Sequence, residues 1–299
     1  MSDYPEWRSS KDQASIRNLL PKSKADIKNV FIFKSENLGK SIGVNEIKIK
    51  NEPHLIISNQ ETGKIVLMLH GCHYSDIRKL FLSEEAACSI VETVTSSLSI
   101  SNKYSKLCND IFVNACFIID KFSIIRYLLW CCQKVRIRQQ AHQKEASIYC
   151  KKSLRNGETS LQILAWSRSL LSKFPQSWTA IQYDRAKALF EEFPVIEKAY
   201  MKCLSFRNIM ERGRSCDILK IKKELQVWLK AVEGDKINEI LMFKTMVYNN
   251  MAFILNYFRY GATNSASYNL NKKIQHLANK HNTKNNKYFL YFLIERELS

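Results

Sequence analysis

Glycine and proline are scarce in this sequence, with eight and five residues, and neither recurs at a fixed period. This excludes collagen-like chains and favours long regular elements. The nine cysteines include no pair separated by two residues, and most lie beside apolar residues. They therefore indicate small core side chains rather than a structural zinc site. We expect a folded protein with reduced thiols, as in the cytoplasm.

A long uninterrupted apolar run is also lacking. The most apolar region, residues 115–132, contains Asp120, Lys121 and Arg126, which is too much charge for a membrane span of about 20 residues. The polar start of the chain, residues 1–7, lacks the apolar segment of a secretory signal. We therefore expect neither secretion nor a membrane partner.

Positive charge, in contrast, is in excess. The chain has 46 lysines and arginines against 28 acidic residues, a formal charge of +18, which repels itself unless a polyanion neutralises part of it. Residues 134–155 hold seven basic residues and one acidic, and residues 259–299 hold seven and two. Nucleic acid is thus the first candidate partner, and a basic surface without a ligand is the alternative.

The first part of the chain is rich in strand patterns. Residues 41–50 alternate apolar and polar side chains, and residues 55–58 and 64–69 follow, separated by a turn at 61–64. These patterns predict a three-stranded meander. Further along, the spacing of apolar residues predicts in turn a helix, a strand, a helix and a strand, over residues 74–93, 94–98, 102–112 and 115–119.

From Phe122 onward the pattern is helical for more than a hundred residues. Predicted helices cover residues 122–152, 160–173, 177–192, 194–211, 216–232, 236–260 and 265–280, and residues 287–297 form a short amphipathic tail. The predicted organisation is a short N-terminal segment, an α/β core formed by two parts of the chain, and an all-helical insertion between those parts. These cover residues 1–29, residues 30–122 with 262–299, and residues 123–261.

Several segments resemble one known family, in the family's own order. They include Gly43-Val-Asn-Glu, Leu55-Ile-Ile-Ser-Asn, Phe112-Val-Asn-Ala-Cys-Phe-Ile-Ile-Asp-Lys-Phe and Thr263-Asn-Ser-Ala-Ser-Tyr-Asn-Leu-Asn. They are similar to DDE transposases of bacterial insertion sequences, in particular the ISL-three-like group and its Aon-type branch. The resemblance implies a ribonuclease-H-like core, a mixed sheet in an α/β fold, with a large all-α insertion.

The same resemblance implies DNA as partner and phosphoryl transfer as reaction. Such transposases hold two Mg²⁺ ions with three carboxylates, because hard cations require charged oxygen ligands. The family's Asp, Asp and Glu fall at Asn45, Ser99 and Tyr268, with Ser97 as the alternative to Ser99. None of these is a carboxylate, so we predict no metal site and no bound cofactor.

Neighbouring acids do not replace the lost ligands. Glu46 follows Asn45 on a strand, so its side chain is expected on the opposite face of the sheet. Asp120 is the best remaining acid, but one carboxylate cannot hold two metal ions. We therefore predict a transposase descendant that is catalytically inactive.

Two other functions remain open at this point. One is a domesticated, non-catalytic DNA-binding protein, and the other is an active nuclease with displaced ligands, which the sequence favours least. Residues before Val30 are too few for a DNA-recognition domain of ordinary size. The oligomeric state is not fixed, and a homo-oligomer is one option. The basic residues predicted to contact nucleic acid are Lys134, Arg136, Arg138, Lys272, Lys273 and Lys280.

Overall fold

The computed structural model describes residues 30–71, 74–98, 101–146, 153–213, 217–281 and 287–299. The chain divides into two compact units. The first comprises residues up to Asp120 together with Ala262–Ser299, and the second comprises Lys121–Gly261. Among the described residues, no helix is long and apolar enough to cross a membrane.

The first unit is built on a six-stranded mixed sheet with strand order β1-β4-β3-β2-β5-β6. The strands are β1 (Val30–Phe33), β2 (Ser41–Ile49), β3 (Glu52–Asn59), β4 (Ile65–His70), β5 (Thr93–Ser96) and β6 (Cys116–Ile119). Strands β2, β3 and β4 form the predicted antiparallel meander, and β5 and β6 add to β2 in parallel. This arrangement confirms the predicted α/β fold class. Strand β1, which pairs with β4, was not predicted.

Twelve α-helices follow within the described residues. They are α1 (Tyr74–Phe81), α2 (Glu85–Ser89), α3 (Ser101–Ile111), α4 (Lys121–Ala146), α5 (Ser160–Trp166), α6 (Ala180–Glu192), α7 (Pro194–Met210), α8 (Ile218–Glu233), α9 (Asn238–Asn249), α10 (Met251–Tyr260), α11 (Ser265–Lys280) and α12 (Lys287–Leu298).

Three predicted helices are divided in the structure. The helix predicted over 74–93 ends at Phe81, and the shorter α2 follows it. The helix predicted over 160–173 ends at Trp166, and a 3-10 turn follows at Leu170–Ser172. The helix predicted over 236–260 is interrupted at Asn250. There the side-chain amide donates to the carbonyl of Met246 at 2.9 Å, a local bond that competes with continued helix.

Apolar residues of α11 and α12 cover one face of the sheet. Leu270, Ile274 and Ile294 pack in a buried cluster with Ile56 and Met68 of the central strands. The residues of α11 in this cluster follow helical spacing, which explains why the sequence pattern located this helix correctly. Helix α11 is thereby fixed against the strands that carry the candidate site.

The helical unit has an aromatic core. The rings of Phe206, Trp228 and Phe243 meet edge to face with centroids 4.9 to 5.7 Å apart, a favoured geometry for such pairs. Trp228 is 4% exposed in this core, whereas Trp130 and Trp166 are 45% and 52% exposed.

The described cysteines confirm the expectation of core thiols. Five of the six that are described are buried, and none of the six forms a disulfide. Burial raises the pKa of the Cys108 and Cys131 thiols to about 12. These thiols are therefore protonated at neutral pH and poor nucleophiles.

Candidate functional site

Strands β2, β5 and β6 are neighbours in the sheet, and they bring polar side chains close together. In the parallel register, Val44 of β2 lies beside Ser96 of β5, and Ser96 lies beside Ile119 of β6. The residues that follow Val44, Ser96 and Ile119 in the sequence are Asn45, Ser97 and Asp120. The amide of Asp120 continues the ladder by donating to the carbonyl of Ser96 at 2.9 Å. These residues and the start of α11 form the candidate site.

Asn45 is bound by a second asparagine, Asn264, just before α11. The Nδ2 of Asn264 donates to Oδ1 of Asn45 at 2.7 Å, and the Nδ2 of Asn45 donates back to Oδ1 of Asn264 at 3.3 Å. Both residues are buried, with 7% and 8% exposure. The two amides therefore satisfy each other's hydrogen bonds as a neutral pair.

Asp120 contributes one carboxylate to the site. It is 7% exposed, and its Oδ1 accepts a hydrogen bond from the backbone amide of Asn264 at 3.3 Å. Among the described residues, no group of three or more His, Cys, Asp or Glu side chains could hold a metal ion. Asp120 thus binds the start of α11. Among the described residues, it does not belong to an acidic cluster.

Glu46 lies on the other face of β2, as strand alternation predicted. Its Oε1 accepts hydrogen bonds from Nζ of Lys103 and the hydroxyl of Tyr104, both at 2.7 Å and both on α3. Asn45, in contrast, is bonded to the residue before α11. Glu46 therefore supplies no ligand to the candidate site.

Helix α11 approaches β2 closely because the residues between them are small. A Cβ atom at Gly43 would lie 2.6 Å from Oδ1 of Asn264 and closer still to Ser267 and Gln60. Ser267 is fully buried and shares a 2.8 Å hydrogen bond with Ser58 of β3. The sequence analysis did not predict this polar layer. The small residues Gly43, Ser58 and Ser267 were the signal that could have indicated a close approach of helix and sheet.

Comparison with known proteins identifies the family. Residues 42–281 match the model of a family described as Transposase, the ISL3 group of DDE transposases, and this match covers most of the chain. The chain belongs to this transposase family. No curated protein matches the chain, and neither does any solved structure.

Two of the three positions predicted to carry the transposase carboxylates lie among the described residues. Asn45 lies in the buried amide pair. Tyr268 lies one helical turn beyond Asn264 and is 52% exposed. Ser99 lies outside the described residues, whereas the alternative, Ser97, directly follows β5 and is half-buried.

The transposase reaction sets a chemical requirement for charged ligands. Two dications beside a phosphate need several negatively charged oxygen ligands. Here the described site offers one carboxylate, Asp120, and two neutral amides that are already hydrogen-bonded to each other.

The basic residues predicted on α4 differ in their surroundings. Lys134 is exposed, and its Nζ lies 5.0 Å from the centroid of the Trp130 ring. Arg138 forms a two-bond ion pair with Glu239, at 2.8 and 3.2 Å. Arg136 is only 7% exposed and donates to the carbonyl of Leu164 at 2.8 Å, and burial lowers its pKa. Because its guanidinium is hydrogen-bonded inside the helical unit, we do not expect Arg136 to contact DNA.

The basic residues predicted on α11 lie on the surface. Lys272, Lys273 and Lys280 are all exposed. Within the part of the chain that the structure describes, none of the three forms an ion pair with an acid. Their ammonium groups are therefore accessible to an anionic ligand in solution.

Proposed function

We propose that this chain is a transposase descendant that does not cut DNA. The observation that supports the proposal is the reciprocal amide pair of Asn45 and Asn264, because Asn45 is the position predicted for the metal-bridging carboxylate. Electrostatic stabilisation by metal ions supplies most of the catalysis in phosphoryl transfer. A site with neutral groups at these positions lacks that stabilisation.

The experiment that tests inactivity is a strand-cleavage assay of the purified chain. Supercoiled plasmid is incubated with the protein and Mg²⁺ or Mn²⁺, and nicked and linear products are quantified on gels. We expect no products beyond those of a mock purification from cells without the gene. Metal-dependent nicking that copurifies with the chain would overturn the proposal.

A second function, non-catalytic DNA binding, is favoured by the accessible lysines of α11. A phosphate backbone binds proteins mainly through lysine and arginine, and the release of counterions makes that binding depend steeply on salt. Such contacts position a protein without reading sequence. We infer that the chain binds duplex DNA without sequence preference, through Lys272, Lys273, Lys280 and Lys134.

Charge reversal tests this binding surface. In Lys272→Glu/Lys273→Glu, we expect weaker duplex binding and a slope of log affinity against log salt that falls by about 2, since each phosphate contact contributes about 0.9. Fluorescence anisotropy over a series of salt concentrations measures both.

The matched control is Lys222→Glu/Lys223→Glu, which changes the net charge equally at two adjacent exposed lysines of α8. We expect the control to retain most of the salt slope. Equal losses in the two double variants would show that only net charge matters and would contradict a binding surface on α11.

A further inference from the structure

One face of α11 carries an aromatic ring followed by basic groups at regular spacing. Tyr268, Lys272, His276 and Lys280 are separated by four residues each, and all four are exposed. Residues four apart are neighbours on the surface of a helix, so the set winds gradually along its exposed side. At 1.5 Å per residue the set extends for about 18 Å. We call these four residues the α11 stripe.

The ring of Tyr268 is exposed to solvent and does not belong to the packed face of α11. Its side chain is 52% exposed, while the buried residues of the helix, such as Leu270 and Ile274, lie on the face toward the sheet. The Nζ of Lys272 lies 4.5 Å from the ring centroid. A large planar surface thus lies directly beside a positive charge.

The charge around the stripe favours an anionic ligand. Helix α11 contains three lysines and no acidic residue. Glu297 of α12 lines a surface depression together with Lys272 and Lys273, but its carboxylate accepts a hydrogen bond from Arg296 at 3.2 Å. The surroundings of Tyr268 on this face are therefore positive.

We propose that the α11 stripe binds single-stranded DNA, with Tyr268 stacked on an unpaired base and the lysines contacting flanking phosphates. The inference rests on the proposed DNA binding and extends it. Aromatic stacking on base faces, combined with a basic path for the backbone, is how proteins hold single strands without sequence preference. In a duplex, base faces are covered by their neighbours, so the ring gains little there.

The test compares a labelled oligothymidylate strand with a duplex of equal length by fluorescence anisotropy. The full chain is expected to bind the single strand more tightly, and Tyr268→Ala is expected to weaken that binding about 5- to 150-fold, the range for loss of one stacked base. Duplex binding is expected to change less than about twofold, because the lysines that contact phosphates remain. Tyr268→Phe retains the ring and is expected to bind like the parent.

Tyr248→Ala is the matched control, since Tyr248 is an exposed tyrosine, at 70%, on α9 of the helical unit. Circular dichroism of each variant confirms that it is folded. If Tyr268→Ala binds the single strand as tightly as the parent while duplex binding persists, the stacking role is refuted and the DNA-binding proposal stands. If the parent binds neither DNA at low salt, both proposals fail.

Discussion

The triple variant Asn45→Asp, Ser99→Asp and Tyr268→Glu is expected to gain a divalent-metal site. The three introduced carboxylates, together with Asp120, would supply the charged oxygen ligands that Mg²⁺ and Mn²⁺ require. A ligand present at 100 times its dissociation constant stabilises a fold by about 2.7 kcal/mol. Differential scanning fluorimetry should therefore show the unfolding temperature of the variant rising by roughly 5–10 °C on addition of metal.

The single variants serve as controls for the metal site. Groups that act as a unit give little benefit one at a time, so Asn45→Asp alone and Tyr268→Glu alone are expected to show little metal dependence. A parallel triple variant with Ser97→Asp in place of Ser99→Asp decides which serine occupies the second position. If both triple variants fold, by circular dichroism, yet neither responds to metal, these positions do not converge as we infer.

Loss of the amide pair is expected to destabilise the protein substantially. In Asn264→Ala the amide of Asn45 keeps neither of its two hydrogen bonds to the partner side chain. A buried polar group without a partner costs about 1–3 kcal/mol. Asn45→Ala should cost a similar amount for the same reason. Denaturant unfolding measures these changes in the free energy of unfolding.

The double variant Asn45→Ala/Asn264→Ala completes the cycle. Residues in direct contact are coupled, so the double variant should lose about 1–2 kcal/mol less than the sum of the single variants. Asn269→Ala is the control, because Asn269 is an exposed asparagine on the same helix and should cost little. Strictly additive losses would show that the pair is not a stabilising unit.

The order of strands and helices could be predicted because burial imposes a period on the sequence. Alternation in β2 and apolar runs in β3 and β4 indicated the meander, and helical spacing located α11. Strand β1 was missed although β5 and β6, which are equally short, were predicted; its pairing with β4 is a tertiary contact that no local period shows. The interruption at Asn250 was missed because its cause is one side-chain bond to Met246, which competes with an otherwise continuous apolar pattern.

The sequence predicted only those features of the candidate site that depend on adjacent residues, such as the direction of side chains on a strand. Strand alternation sufficed to place Glu46 and Asn45 on opposite faces. The partner of Asn45 is 219 residues away in sequence, so only the tertiary structure reveals the amide pair. Arg136 lies in a basic run of the sequence, which indicated an exposed side chain. In the structure its guanidinium is buried, because it donates to the carbonyl of Leu164 on another helix.

The most direct test of the central claim is the cleavage assay performed with the native chain and Asn45→Ala side by side. The account predicts that neither protein nicks or joins DNA strands in Mg²⁺ or Mn²⁺, because no set of carboxylates fixes two ions at Asn45, Ser99 and Tyr268. A native chain that cuts DNA in a metal-dependent way, with Asn45→Ala cutting equally well, would contradict both the inactivity and the location of the site.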